Sequence, residues 1–383
     1  MNIQHQQRVR AQAFRAERQA AVSGRYRARL WQTRPYARQR GVAIITAILV
    51  VALGTISMVA ITASQQLDMQ RERNEGLIQQ ARALGSSGER FAAALLFRDF
   101  QAGDRGNSDS LDDDWAQTIP PVPIDNASIQ GCVVDMQGKF NLNNLVNSEG
   151  VVQQAYAIQL RDLLTALGID TEKADAVIDW VDADVNFTPP NGAEDDYYTS
   201  LEVGYLAANA PFVSVSELQL VRGFSGAIEE EAEDYELLLP HISALPVLDT
   251  PTSVNVNTAT PEVLASLSPA VQLTATGLSR WETGAYEDYP ECENIFDLDP
   301  DNAVQSLAGG TRDVTPWDTI ADFDADVDVP QDEISDVARD IKSNFFQVRI
   351  DVEAEGIRLS QYTLLERDGS GRTKVIYRSR DTL

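Results

Sequence analysis

Histidine and cysteine are almost missing from this sequence. Only His5 and His241 occur in 383 residues, so a nucleophilic site built around a histidine base has almost nothing to draw on. His5 sits in a basic N-terminal stretch, and His241 in Leu-Leu-Leu-Pro-His-Ile reads as structural. The two cysteines, Cys132 and Cys292, lie far apart with no Cys-x-x-Cys, which excludes a paired-cysteine metal site. In an oxidising compartment they are candidates for one disulfide closing a long loop. Gly-rich phosphate loops are absent too. No pair of carboxylates stands out as a glycosidase dyad, because a chain this acidic offers such pairs by chance.

Positive charge is scarce except at the start. Residues 1–41 hold ten of the 31 bases, all arginine, and one of the 58 acids, Glu17. The remaining chain has 21 bases against 57 acids. The positive-inside rule puts the basic leader in the cytoplasm and the acidic bulk across the inner membrane, in the periplasm. Such a domain is a poor partner for nucleic acid, where binding depends on Lys and Arg releasing counterions. It suits divalent cations or basic protein surfaces.

Between these halves lies an apolar run, Val42 to Ile61, directly after Arg38-Gln39-Arg40-Gly41. Twenty such residues span a hydrocarbon core of about 30 Å as a helix. No A-x-A cleavage site follows the run. Gln65 to about Phe100 continues as an amphipathic helix, with Leu77, Ile78, Ala81, Leu84, Phe91, Ala92, Leu95 and Leu96 at helical spacing. Gly85-Ser86-Ser87-Gly88 is expected to bend it without ending it.

Residues 101–120 read as a polar loop, and 127–136 as a strand. Short helices are expected over 155–167, 171–181, 216–222 and 261–267, separated by Gly, Pro and Asn loops. Residues 322–336 read as an acidic loop. Strict alternation over 346–353, then 357–366 and 373–377 after glycine turns, gives an antiparallel meander with one face free for the N-terminal helix. The fold class is therefore α+β, interrupted by a large all-α insertion. The divisions are a leader (1–41), a transmembrane part (42–64), helix and first strand (65–140), insertion (141–335) and C-terminal meander (336–383).

The densest chemistry lies in Asp179-Trp180-Val181-Asp182-Ala183-Asp184 and, after a Pro-Pro-Asn-Gly loop, Glu194-Asp195-Asp196. Ca²⁺ takes 6–8 oxygens at about 2.3–2.6 Å from flexible carboxylates and loop carbonyls, and this stretch concentrates them. The spacing is not that of an EF-hand, and a solvated loop with capping acids is the alternative. Acids recur over 287–301 as a weaker second candidate.

Ser214–Phe224 and Val254–Leu264 have a helix-hairpin-helix look. Thr258 or Thr260 can N-cap the second, with Pro261 in its first turn. Only Arg222 is basic in the first, among Glu217 and Glu229-Glu230-Glu231, so packing is favoured over phosphate binding.

Several landmarks occur in series: Gly138-Lys139-Phe140-Asn141-Leu142-Asn143-Asn144-Leu145, Asp179 to Asp184, Asn191 to Asp195, Val254 to Ala259, and Tyr377-Arg378-Ser379-Arg380. Together with the Arg40-Gly41-Val42 junction they resemble the type II secretion system minor pseudopilin K family, over nearly all of residues 38–380. The resemblance implies a pilin-like fold: a long N-terminal helix on a small antiparallel sheet, with helix-hairpin-helix-like segments in the insertion. Prepilin peptidase would cut between Gly41 and Val42 and Val42 would be methylated. Related pilins carry Glu at the fifth mature position; Thr46 stands there, and among pseudopilins the absence of that Glu marks the K-type tip subunit. The 41-residue leader is long for this class.

The resemblance also implies calcium in the insertion, with Asp184, Glu194 and Asp195 as first ligands and Asp182 and Asp196 next. It implies assembly with minor pseudopilins I and J and the major pseudopilin, and contact with exoproteins. The chain reads as a structural subunit that initiates and caps a secretion filament, not as an enzyme. The alternative is a membrane-anchored DNA receptor of competence type, which shares an anchor with Asn-x-Asn-Thr-Ala hairpins. A Ca²⁺-dependent periplasmic hydrolase is a third reading and needs a convergent pocket.

Overall fold

A computed structural model describes residues 42–102, 108–117, 119–267, 316–326 and 337–380. The chain forms two units, Met1–Gln70 and Arg71–Leu383. In the first, the described residues belong to one helix, α1, which runs Val42–Gln101. It is the one helix among the described residues long and apolar enough to cross a membrane. Its polar side chains there are satisfied locally. Thr46 donates to Val42 O (3.1 Å) and Ala43 O (3.0 Å), and Thr55, Ser57, Thr62 and Ser64 donate to carbonyls one turn back. No hydroxyl in this run needs water, which is what a bilayer demands.

In the second unit α1 buries a stripe, Leu77, Ala81, Gly85, Glu89, Ala92 and Leu96. It lies on a five-stranded antiparallel sheet ordered β1-β2-β7-β8-β9. The strands are β1 (Ile119–Ile124), β2 (Ala127–Asp135), β7 (Phe345–Ala354), β8 (Ile357–Arg367) and β9 (Thr373–Arg380). Phe346, Val348, Ile350 and Val352 of β7 meet Ala81, Ala92 and Leu96 of α1, and Trp115 packs edge-on against Phe346. The helix runs through Gly85–Gly88 without ending, as expected. Glycine serves close approach there: a Cβ at Gly88 would stand 2.9 Å from Ile350 Cδ1. One buried acid on this stripe, Glu89, is matched. Arg378 of β9 grips both its oxygens at 2.6 and 2.8 Å, and Thr363 donates at 3.0 Å.

Sequence reading missed β1 because Ile-Pro-Pro-Val-Pro-Ile lacks donors at three positions. Those prolines are tolerated because β1 is an edge strand.

The segment between β2 and β7 carries α2 (Gln154–Leu167), α3 (Lys173–Val181), α4 (Asp195–Tyr198), α5 (Glu229–Leu238), α6 (Pro261–Ala265) and α7 (Ile320–Asp326). It is not all-α as expected. Two parallel pairs of two-residue strands are built into it, β3 (Phe140–Asn141) with β4 (Ile242–Ser243), and β5 (Val254–Asn255) with β6 (Arg339–Asp340). Of the acidic loop expected over 322–336, residues 322–326 belong to α7, because Thr319 Oγ1 accepts from Asp322 N (3.2 Å) and Phe323 is buried. The expected helix over 216–222 is a 3-10 turn, Val215–Leu220.

The two pairs begin the same device twice. Asn141 Oδ1 accepts from Asn143 N (3.1 Å), and Asn255 Oδ1 from Asn257 N (3.0 Å). Asn143 then clamps a remote aromatic residue, donating to Phe212 O (2.9 Å) and accepting from Phe212 N (2.7 Å). Asn257 does the same to Trp317, at 3.0 and 2.9 Å. Each clamped residue follows a proline (Pro211, Pro316) and precedes a capped turn, at Ser214-x-x-Glu217 and Thr319-x-x-Asp322. Buried amides here pair with backbone groups that a regular ladder would otherwise satisfy.

The join to the sheet is polar and buried. Asp135, at the end of β2, accepts from Ser343 Oγ (2.6 Å), Thr258 Oγ1 (2.6 Å) and Asn255 Nδ2 (2.9 Å). Replacing Asn255 by alanine removes a donor to this carboxylate and leaves its other partners misplaced. We expect Asn255→Ala to lower unfolding free energy by about 1–3 kcal/mol in urea melts. A midpoint equal to wild type contradicts this.

Candidate cation site

Helix α3 is an interior element: every residue from Ala174 to Val181 is buried. It ends at Asp182, whose backbone is extended and whose N–H still reaches Ile178 O (3.0 Å). The chain then loops out through exposed Asp184 to Phe187 and returns at Gly192-Ala193-Glu194, which are buried. Asp179 anchors the return. Both its oxygens accept from Thr188 N at 3.0 Å, and Gly192 N bonds Thr188 O at 2.7 Å. Only glycine fits at 192, because a Cβ would lie 2.1 Å from Asp179 Oδ2.

This path brings Asp182, Asp184 and Glu194 together, with one carboxylate oxygen from each within 4.8 Å of the others. Asp184 Oδ1 accepts from Asn186 N and Nδ2, both at 2.8 Å. Asp182 Oδ1 and both oxygens of Glu194 are buried and have no hydrogen-bond partner. Burial pushes Asp182 up to about 7, helped by Asp184 and Asp179. Burial also pushes Glu194 up to about 7, helped by Asp179 and Asp182. Orphaned, mutually repelling carboxylates cost several kcal/mol unless neutralised. A hard divalent cation fits this donor set, since it takes the oxygens that no N–H or O–H claims.

Asp195 and Asp196 lie outside the cluster. Both fall in the first turn of α4; Asp195 Oδ1 instead accepts from Ala207 N (3.0 Å), and Asp196 is exposed. The acids over 287–301, Gly41 and Cys292 lie outside the described residues. Val42 opens α1, and Cys132, on β2, is buried and disulfide-bonded.

A second carboxylate group escaped sequence reading: Asp99, Asp109 and Asp113. Burial, then Asp113, raises Asp99 to about 7, and burial raises Asp113 to about 6. This group already holds a cation of its own, because Arg367 bonds Asp109. Asp113 Oδ2 accepts from Ser110 N (2.7 Å) and Trp115 Nε1 (3.3 Å). His241 is structural, its Nδ1 2.7 Å from Thr260 Oγ1, and burial lowers its pKa.

A family model described as type II secretion system (T2SS), protein K matches residues 138–247, the span from the first Asn clamp through the carboxylate loop. The type II secretion system protein K of Pseudomonas aeruginosa is 32% identical over 348 residues, covering 89% of this chain and 92% of that protein. The chain belongs to the type II secretion system protein K family. Protein K of Aeromonas hydrophila is 29% identical over 334 residues, 84% of this chain and 91% of that one. The fold is similar to a chain in the crystal structure of the GspK-GspI-GspJ complex of enterotoxigenic Escherichia coli. There the TM-score is 0.61 at 22% identity, covering 82% of this chain and 100% of that one.

The raised pKa values set a pH dependence. Without a cation, protonated Asp182 and Glu194 are stabilising below their unfolded values near pH 4, and that contribution is lost as pH rises through about 7. A cation bound by these oxygens would displace those protons. The calcium-induced rise in melting temperature is therefore expected to be small near pH 5 and larger near pH 8, measured against chelator. A rise that shrinks as pH increases contradicts the site.

Proposed function

We propose that this chain is a non-enzymatic minor pseudopilin at the tip of the type II secretion pseudopilus. In this reading, prepilin peptidase cuts between Gly41 and Val42, Val42 is methylated, and α1 leaves the inner membrane for a bundle with pseudopilins I and J. The acidic bulk works in the periplasm. The tip initiates and caps the filament of major pseudopilin that moves folded exoproteins outward, and calcium braces its insertion.

The observation that carries this reading is α1 itself: one helix whose first part is apolar and self-satisfied and whose second part docks on a sheet. Family membership supports secretion as the setting, and the similar solved chain comes from a complex with GspI and GspJ. The sheet-distal face of α1 suits helical partners. Ala83, Ser87 and Ala94 are exposed there, with Phe91 at 56% and Phe97 at 41%. Thr46, with its hydroxyl turned into its own helix, leaves no carboxylate to neutralise a neighbouring subunit's terminal amine. A subunit built so has no means to dock beneath another, which suits the filament end.

Mass spectrometry of the N-terminus, from cells with and without prepilin peptidase, tests the processing step. Methylated Val42 is expected with the enzyme, and an uncut Gly41–Val42 bond without it. Any other mature N-terminus contradicts the pseudopilin reading.

A further inference from the structure

Arg222 is the only base of the Ser214–Phe224 hairpin, and its guanidinium is turned toward the carboxylate loop. Its Nη1 donates to Asn191 O (3.4 Å) and Gly192 O (3.2 Å). The guanidinium stacks on Tyr197, 5.0 Å from the ring centroid, and Arg222 N donates to Tyr198 Oη (3.3 Å). Asn191 is held from the other side as well, its N–H on Asp175 Oδ2 (3.3 Å) and its side chain on Glu172. Lys173, next to Glu172, closes the circuit by donating to Gly223 O (3.0 Å). The dipeptide just before Ala193-Glu194 is thus gripped from α3 and from the hairpin. By contrast, Asp184 to Phe187 on the other arm of the loop are exposed.

We propose that Arg222 is a positioning residue for the cation site. It fixes the Asn191 and Gly192 carbonyls so that the Glu194 carboxylate stays aimed at Asp182 and Asp184. This rests on the cation reading above and adds a residue that touches none of the three carboxylates. The mechanism is pre-organisation. With the guanidinium gone, the 188–194 return must be ordered when the cation binds, and affinity falls by that cost. Direct charge plays the lesser part, because the strongest charges acting on Asp182 and Glu194 are the neighbouring aspartates. Arginine suits the role since a flat, stackable cation holds its donors in one orientation between a ring and two carbonyls.

Calcium titration calorimetry on the full chain in detergent, with melting temperature read in chelator, tests this. Arg222→Met is expected to weaken calcium binding about tenfold while the chelator melting temperature changes little. Arg222→Lys, which keeps a donor but not the stacked plane, is expected to recover part of the affinity. Calcium binding by R222M at wild-type Kd, whatever its melting temperature, overturns the role of Arg222 and leaves the cation site standing. A wild-type chain that takes up no calcium overturns both. Should R222M fail to fold, R222K and Tyr197→Leu serve instead, and wild-type Kd in both overturns the proposal.

Discussion

The architecture depends on one buried carboxylate. Asp135 ends the second sheet strand, and the groups that satisfy it come from Asn255, Thr258 and Ser343, residues brought together from far along the chain. Burial pushes its pKa up while Ser343, Thr258 and Gln137 N–H pull it down. A carboxylate in such a place is stable only when all its donors arrive together. The second Asn-x-Asn device is therefore tied to the sheet through this one carboxylate. Gln137 extends the join: its Oε1 accepts from Asn344 N (2.6 Å) and its Nε2 donates to Ser253 O (2.9 Å).

Beyond that join, the insertion repeats one solution. In each copy a two-residue parallel bridge starts the segment. An Asn two residues on then holds a proline-led aromatic residue by its own N–H and C=O, across 69 positions for Phe212 and 60 for Trp317. Long loops are closed by side-chain amides where regular strands are too short to do so. The first copy has gained a further feature, the 182–194 loop, whose inner arm is buried and hydrogen-bonded and whose outer arm faces solvent. That asymmetry suits a cation that enters from one side and finds two carboxylates, Asp182 and Glu194, already placed.

Much of this was legible in the sequence, for identifiable reasons. α1 joins a continuous apolar run to an amphipathic stripe, and β7 alternates strictly, so both follow from run length and periodicity. The role of Gly88 was not legible, because the close approach it permits depends on Ile350, a partner on a distant strand. Two-residue strands have no periodicity to read, so β3 to β6 were invisible. Both Asn-x-Asn motifs could be seen, but not that they act alike, since Phe212 and Trp317 are their partners only in three dimensions. At the site the acids themselves were plain. Their division was not: whether Glu194 or Asp195 faces Asp182 depends on where α4 begins, and Arg222 reaches the loop from a separate segment.

The central claim is that the orphaned oxygens of Asp182 and Glu194 are completed by a divalent cation. Elemental analysis of the purified full chain, after dialysis against calcium and magnesium together, tests this most directly. The account predicts calcium retained by wild type and lost from the Asp182→Ala, Glu194→Ala double variant. Equal calcium in the two proteins would contradict it.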